Sequence, residues 1–179
     1  MEFNVKNLLY KSSFYNSTHD NMDLDSVFSY VINFIKQDCN SSYRLSIGTD
    51  SQVKSNSTVF VTAIVIHRIG KCAWGCVNKI IIPYKINSIR EKISIEANLT
   101  LQIVNEISIN YFDKLLNSVI NCLDEGTDFY NEIHIDIGKN GKTRCMINEI
   151  IKYFSGLGFS TKIKPESYAA SSYANKYTK

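Results

Sequence analysis

The sequence predicts an α/β fold. It is read as a five-stranded mixed sheet, three antiparallel strands followed by parallel ones, flanked by helices and preceded by an extra N-terminal helix. Three observations carry this. The stretches "SSYRLSIGTDSQ", "STVFVTAIVIHRIG" and "CAWGCVNKIIIPYK" are rich in β-branched and aromatic residues, and "RIGK" joins the last two as a hairpin. From Ser88 the apolar spacing changes to three and four residues, with no Gly or Pro before Gly126, which is the pattern of a long helix. Two further short strands, "NEIHIDIG" and "FSTKIK", alternate with helical segments. Strand–helix–strand units of that kind close as right-handed parallel crossovers.

Taken in order, the chain opens with a polar, irregular arm around "SSFYNSTHDN". A helix follows from about Asp23 to Gln37. Asp23 or Asp25 can cap it, and Val27, Tyr30, Val31, Phe34 and Ile35 form its apolar stripe. Residues 1–42 are thus read as an arm and helix, and residues 43–179 as the main domain. The first long strand runs from Arg44 to Asp50, and the long helix from Ser88 to about Leu116. "KTRCMINEIIKYFSGLG" is a helix stopped by Gly156 and Gly158, and Pro165 opens a last helix, "PESYAASSYANKY".

Composition narrows the function. The chain has 179 residues, 44% hydrophobic and 21% charged, as in ordinary globular proteins. No run approaches the ~20 apolar residues of a membrane span, and the start lacks a signal-peptide pattern. A cytoplasmic protein without a membrane partner is expected. The five cysteines are odd in number and form no CxxC pair, so neither a disulfide framework nor a zinc site is suggested. Cys72 and Cys76 share a strand face with Trp74 as packing residues. Four Asn-x-Ser/Thr matches, at Asn16, Asn40, Asn56 and Asn98, reflect only Asn and Ser richness. A net charge of +3 permits a nucleic-acid partner without demanding one.

The stretch "IHIDIGKNGKTR" invites a phosphate-binding reading. A Walker A loop requires G-x-x-x-x-G-K-[ST]. Counting back from Gly141-Lys142-Thr143 puts Asp136 where the first glycine belongs. An aspartate there sets negative charge against the phosphate that the loop amides would wrap. "GKNGKT" then reads as a polar turn and helix start.

Asp136 instead has matching acids elsewhere. Asp50 ends the first long strand, on the face that carries Arg44, Ser46 and Gly48. Glu96 interrupts the stripe Ile89, Ile93, Thr100, Ile103 and Ile107 of the long helix, whereas Glu91 and Glu106 lie off it or at its edge. Asp136 shares a face with His134 at the carboxyl end of the fourth strand. Singly, an Asp at a strand end serves as a turn or capping residue, and a Glu on an apolar stripe snorkels or finds a salt bridge. Jointly, three converging carboxylates repel one another, and a hard divalent cation, Mg2+ or Mn2+, resolves the repulsion. Such a cluster suits metal-assisted phosphodiester hydrolysis, with two ions possible.

This order of elements resembles the ribonuclease H fold. More narrowly, "IGTDSQ" together with "KPESYAASSYANKYTK" resembles the ribonuclease H-like family of bacterial proteins typified by YkuK, over about Tyr43 to Lys179. The resemblance implies that Asp50, Glu96 and Asp136 take the places of the first three metal-binding acids of such nucleases. The fourth acid of that plan falls at Asn175, which retains a carbonyl oxygen but not the charge. Glu166 is a poor substitute, nine residues away and about half a turn out of phase. The implied activity is a nuclease acting on RNA or DNA. The alternative is a weak or inactive module that keeps the fold and binds nucleic acid or protein. Lys142 and Arg144, just past Asp136, are candidate phosphate contacts or a solvated helix start. Tyr168, Tyr173 and Tyr177 are read as packing residues first and base-stacking residues second.

Overall fold

In the computed structural model, which describes residues 13–123, 126–137, 144–154 and 156–178, the sheet has six strands rather than five. The strands are β1 (Phe14–Tyr15), β2 (Tyr43–Val53), β3 (Thr58–Arg68), β4 (Cys72–Ile82), β5 (Phe129–Ile135) and β6 (Ser160–Ile163), in the spatial order β1-β4-β3-β2-β5-β6. The additional strand comes from the segment expected to be irregular. Phe14 and Tyr15 pair antiparallel with Asn78 and Val77, and Phe14 also bridges to Met22. Both Phe14 and Met22 are buried, so the arm is held by apolar contact as well as by backbone bonds.

The expected topology is otherwise present. β2, β3 and β4 form an antiparallel meander, and β5 and β6 add parallel to β2. β2 extends three residues beyond the expected end because Ser51, Gln52 and Val53 continue to pair with Phe60, Val59 and Thr58. The helices are α1 (Leu24–Lys36), α2 (Ile89–Glu106), α3 (Phe112–Leu123), α4 (Arg144–Phe154) and α5 (Asn175–Thr178). Asp23 caps α1 as expected, its carboxylate accepting from the Ser26 amide at 2.8 Å. Ser88 caps α2, accepting from the Glu91 amide at 3.3 Å.

The long helix differs from the periodic reading in two respects, an interruption and an end beyond Leu116. Between α2 and α3 lies a π-helical turn, Ile107–Tyr111, and the helical run continues to Leu123. The last helix departs further. Its helical backbone begins near Tyr168 rather than at Pro165, and Ala169–Ala174 is π-helical before α5.

The core has two parts, one on each face of the sheet. The larger joins α1, α2, α3 and α4 to residues such as Leu45, Ile47, Phe60, Ile64 and Ile133. The smaller sets Ala169 and Ala174 of the last helical segment on Val61, Ala63, Val65 and Val77, flanked by Tyr15, Tyr168, Tyr173 and Tyr177. The alanines allow the backbone to lie close to the sheet, and the tyrosines pack around it. Among the described residues, no helix is long and apolar enough to cross a membrane.

The absence of a disulfide, expected from the cysteine pattern, is corrected by the structure. Cys39, just after α1, and Cys122, at the end of α3, are joined. The pairing could not be seen in spacing because the partners lie 83 residues apart and meet only when α1 packs against α3. Cys72 is free and exposed, and Cys76 is free and buried.

Candidate functional site

Asp50, Glu96 and Asp136 lie near one end of the sheet, where the parallel pairing of β2 with β5 stops. The register sets Thr49 beside Ile135, so the next positions along the two strands are Asp50 and Asp136. The chain turns sharply at Asp136, the Ile137 amide donating to the Ile135 carbonyl at 2.9 Å. That turn ends β5 and leaves the carboxylate at its tip.

Glu96 reaches this end from the other face. Ser46, an even-numbered β2 residue, meets the Tyr168 hydroxyl at 2.8 Å, so the even face lies under the last helical segment. Odd-numbered Thr49 meets Thr100 of α2, so α2 lies on the opposite face. Alternation therefore directs Asp50 toward the last helix and Ser51 toward α2. The Ser51 hydroxyl donates to Glu96 Oε1 at 2.6 Å. One turn along α2, the hydroxyls of Thr62, Thr49 and Thr100 form a buried chain with 2.9 Å spacings. These hydroxyls pin α2 to the sheet and fix the height of Glu96.

The three acids sense one another. Burial pushes the Asp50 carboxyl up to about 6, and the charge of Asp136 raises it further. Burial pushes Glu96 up to about 8; the Ser51 hydrogen bond opposes this, and Asp50 and Asp136 add to it. Lys92, one turn before Glu96, draws both carboxyls back down. Lys164, at the end of β6, does the same for Asp50 and lies 3.0 Å from Asp136 Oδ1. The ammonium does not approach along a hydrogen-bonding direction, so this buried oxygen is paired by charge alone.

The donor set fits a hard divalent cation. It is all oxygen, it contains a buried carboxyl whose ionisation burial opposes, and one oxygen lacks a hydrogen bond. The acids are not drawn into a finished cage: among the described residues, no group of three or more His, Cys, Asp or Glu side chains is placed to hold a metal ion.

Asn175 opens α5 and is exposed; its amide donates to the Ser171 carbonyl at 3.5 Å and accepts from the Thr178 hydroxyl at 3.3 Å. Glu166 is exposed and pairs with Lys162 at 3.6 Å. Lys142 and the side chain of Arg144 lie outside the described residues; the Arg144 backbone begins α4.

A buried polar network beside Asp136 was not legible in the sequence. Arg44 Nε lies 3.2 Å from Glu132 Oε1, and His134 Nε2 lies 2.9 Å from Glu132 Oε2. The other ring nitrogen of His134 accepts from the Ala169 amide at 3.0 Å, and the Tyr168 ring packs edge-on against the imidazole. An accepting Nδ1 places the ring proton on Nε2, toward Glu132, and burial lowers the His134 pKa. The network ties the start of the last helical segment to β5. Alternation of Arg44 with Ser46, and of Glu132 with His134, was the available signal, but nothing local announces that they meet.

Comparison with known proteins agrees with this architecture. A family model described as "Ribonuclease H-like" matches residues 26–179. The chain is 40% identical over 166 residues to "Uncharacterized protein YkuK" of Bacillus subtilis (strain 168), covering 93% of this chain and 96% of that protein. No solved structure matches the chain.

Proposed function

The chain belongs to the ribonuclease H-like family, and on that premise we propose that it is a divalent-metal-dependent nuclease hydrolysing phosphodiester bonds of RNA or DNA. One observation carries this reading: three carboxylates, on β2, α2 and the tip of β5, lie near one end of the sheet, and the charge of Asp136 adds to the burial that raises the proton affinity of Asp50 and Glu96. Residues that serve only the fold have no need for such mutual repulsion, which costs stability until a cation relieves it. Asp50, Glu96 and Asp136 would hold Mg2+ or Mn2+, with the Asn175 amide oxygen as an auxiliary ligand. A bound ion supplies water activation and charge stabilisation at the leaving oxygen. The chain's own part is to hold the carboxylates in place: Ser51 orients Glu96, and the turn at Asp136 presents its side chain. Lys142 and Arg144, a few positions after Asp136 in the sequence, are the candidate phosphate contacts.

The test is a nuclease assay on RNA, DNA and hybrid substrates with Mn2+. Asp50→Asn and Asp136→Asn should each lower the rate by roughly 100-fold or more. Full activity in both variants would exclude the reading. A second reading, a binding module without catalysis, is favoured by the neutral Asn175 and by the open arrangement of the acids. Nucleic-acid binding by the wild type with no Mn2+-dependent cleavage of any of the three substrates would select it.

A further inference from the structure

Asp136 has a partner that neither the strand order nor the acid pattern led us to expect. Lys164 Nζ lies 3.0 Å from Asp136 Oδ1. The two residues are brought together by backbone. β5 and β6 run parallel, with Ile135 beside Ile163, so Asp136 and Lys164 follow at the same level. The Lys164 amide also donates to the Ile137 carbonyl at 3.1 Å, which ties the stem of the lysine to the turn at Asp136. The side chain at Asp136 is 19% exposed and that at Lys164 is 48% exposed, so one end of the pair is held and the other can leave into solvent. Lys162 is engaged with Glu166 instead and does not compete for the acid.

The charge balance shows what Lys164 does there. Asp50, Glu96 and Asp136 bring three potential negative charges to one place, and Lys92 and Lys164 are the cations that offset them. Lys92 bears on Asp50 and Glu96 without a close ion pair, whereas Lys164 sits against the unbonded oxygen of Asp136. Being buried without a hydrogen bond, that oxygen is the carboxylate atom left open to a divalent cation. An ammonium and a divalent ion cannot share it without strong mutual repulsion at such close range.

We propose that Lys164 is a built-in cation of the carboxylate site: its ammonium holds Asp136 in the metal-free protein and must be displaced before a divalent ion occupies Oδ1. Lys164 thereby sets the metal affinity of the site. The inference rests on the metal reading of Asp50, Glu96 and Asp136, and it concerns binding rather than cleavage.

Calorimetric titration with Mn2+ tests it on the full chain, comparing wild type, Lys164→Met and Lys164→Arg. Lys164→Met should bind Mn2+ about tenfold more tightly, the effect of removing one close competing charge at a partly exposed site. Lys164→Arg keeps the charge and should stay near the wild-type affinity. In chelator, a thermal double-mutant cycle with Asp136→Asn should show that the two residues are coupled, since each substitution removes the same ion pair. If the wild type binds Mn2+ and Lys164→Met binds it no more tightly, the proposal fails and the metal reading survives. If neither protein binds Mn2+, both fail. If Lys164→Met does not fold, Lys164→Gln replaces it in the same comparison. A cycle showing no coupling overturns the proposal without reference to metal.

Discussion

Glu96 is buried at 8% exposure, on a helix face otherwise given to Ile93, Ala97, Thr100 and Ile103. Burial, the largest cause, raises its pKa from 4.5 to about 8. The folded, metal-free protein therefore binds this proton more tightly than the unfolded chain does. The stability linked to the proton is fully present below pH 4.5 and is lost as pH rises through about 8. Asp50 acts in the same direction in a lower window, between 3.8 and about 6. In chelator, the melting temperature should fall as pH rises from 5 to 8. Glu96→Gln should flatten the upper part of that fall and melt higher at pH 8 by roughly 2–4 °C, corresponding to about 1 kcal/mol in a chain of this size. An unchanged slope in Glu96→Gln would locate the dependence elsewhere. At this scale the acids stood out as candidates because each breaks a local pattern: Glu96 an apolar stripe, Asp136 the end of a strand, and Asp50 the run of a strand that it was expected to end but that continues to Val53. Their supports were not. Ser51 meets Glu96 across 45 residues and Thr49 meets Thr100 across 51, and no local pattern encodes such meetings.

Among the elements, the meander and the parallel strands followed from period and composition, whereas the helices held the departures. A π-helical turn adds a residue to the helical repeat, so the face of α3 is rotated relative to that of α2. Leu115 and Val119 of α3 are buried, while Phe112, Leu116 and Ile120 are partly exposed. An unbroken stripe extrapolated from α2 could not anticipate that change. The last helical segment shows a different constraint, because its position is set by what it lies on. A Cβ added to Gly75 of β4 would stand 2.9 Å from Tyr173 Cζ and 3.2 Å from the Ile64 carbonyl. Gly75→Ala should therefore push on both the segment and the adjoining strand and cost about 1–3 kcal/mol, read from chemical denaturation. Wild-type stability in that variant would mean that Tyr173 yields freely. The glycine was visible in the sequence, but the ring it accommodates lies nearly a hundred positions further along and gave no sign there.

For the molecule as a whole, the antiparallel meander followed by parallel strands was recoverable, because strand–helix–strand units leave few alternatives. Two features were not: the pairing of residues 14 and 15 with β4, since two residues carry no period, and the Cys39–Cys122 bond, since its partners meet through tertiary packing. That bond joins the segment after α1 to the end of α3 and closes a long loop. Reduction, or Cys39→Ser, should lower stability by about 2–4 kcal/mol. Mass spectrometry after alkylation of the unreduced, denatured protein should find Cys39 and Cys122 unmodified and linked. Free alkylation of both would exclude the bond.

The short strand β1 has a consequence for how molecules of this protein meet. β4 is 11 residues long, and without the arm its outer edge would offer a row of unpaired backbone groups. The arm covers the middle of that row with Phe14 and Tyr15, and two asparagines fasten it, Asn16 donating to the Gly75 carbonyl at 3.1 Å and Asn78 to the Ser13 carbonyl at 3.3 Å. An interrupted edge is a poor template for another strand. Phe14 and Tyr15 thus take up backbone groups of β4 that another strand would otherwise find open, and the polar sequence around them suits a segment that caps a sheet without inviting its extension.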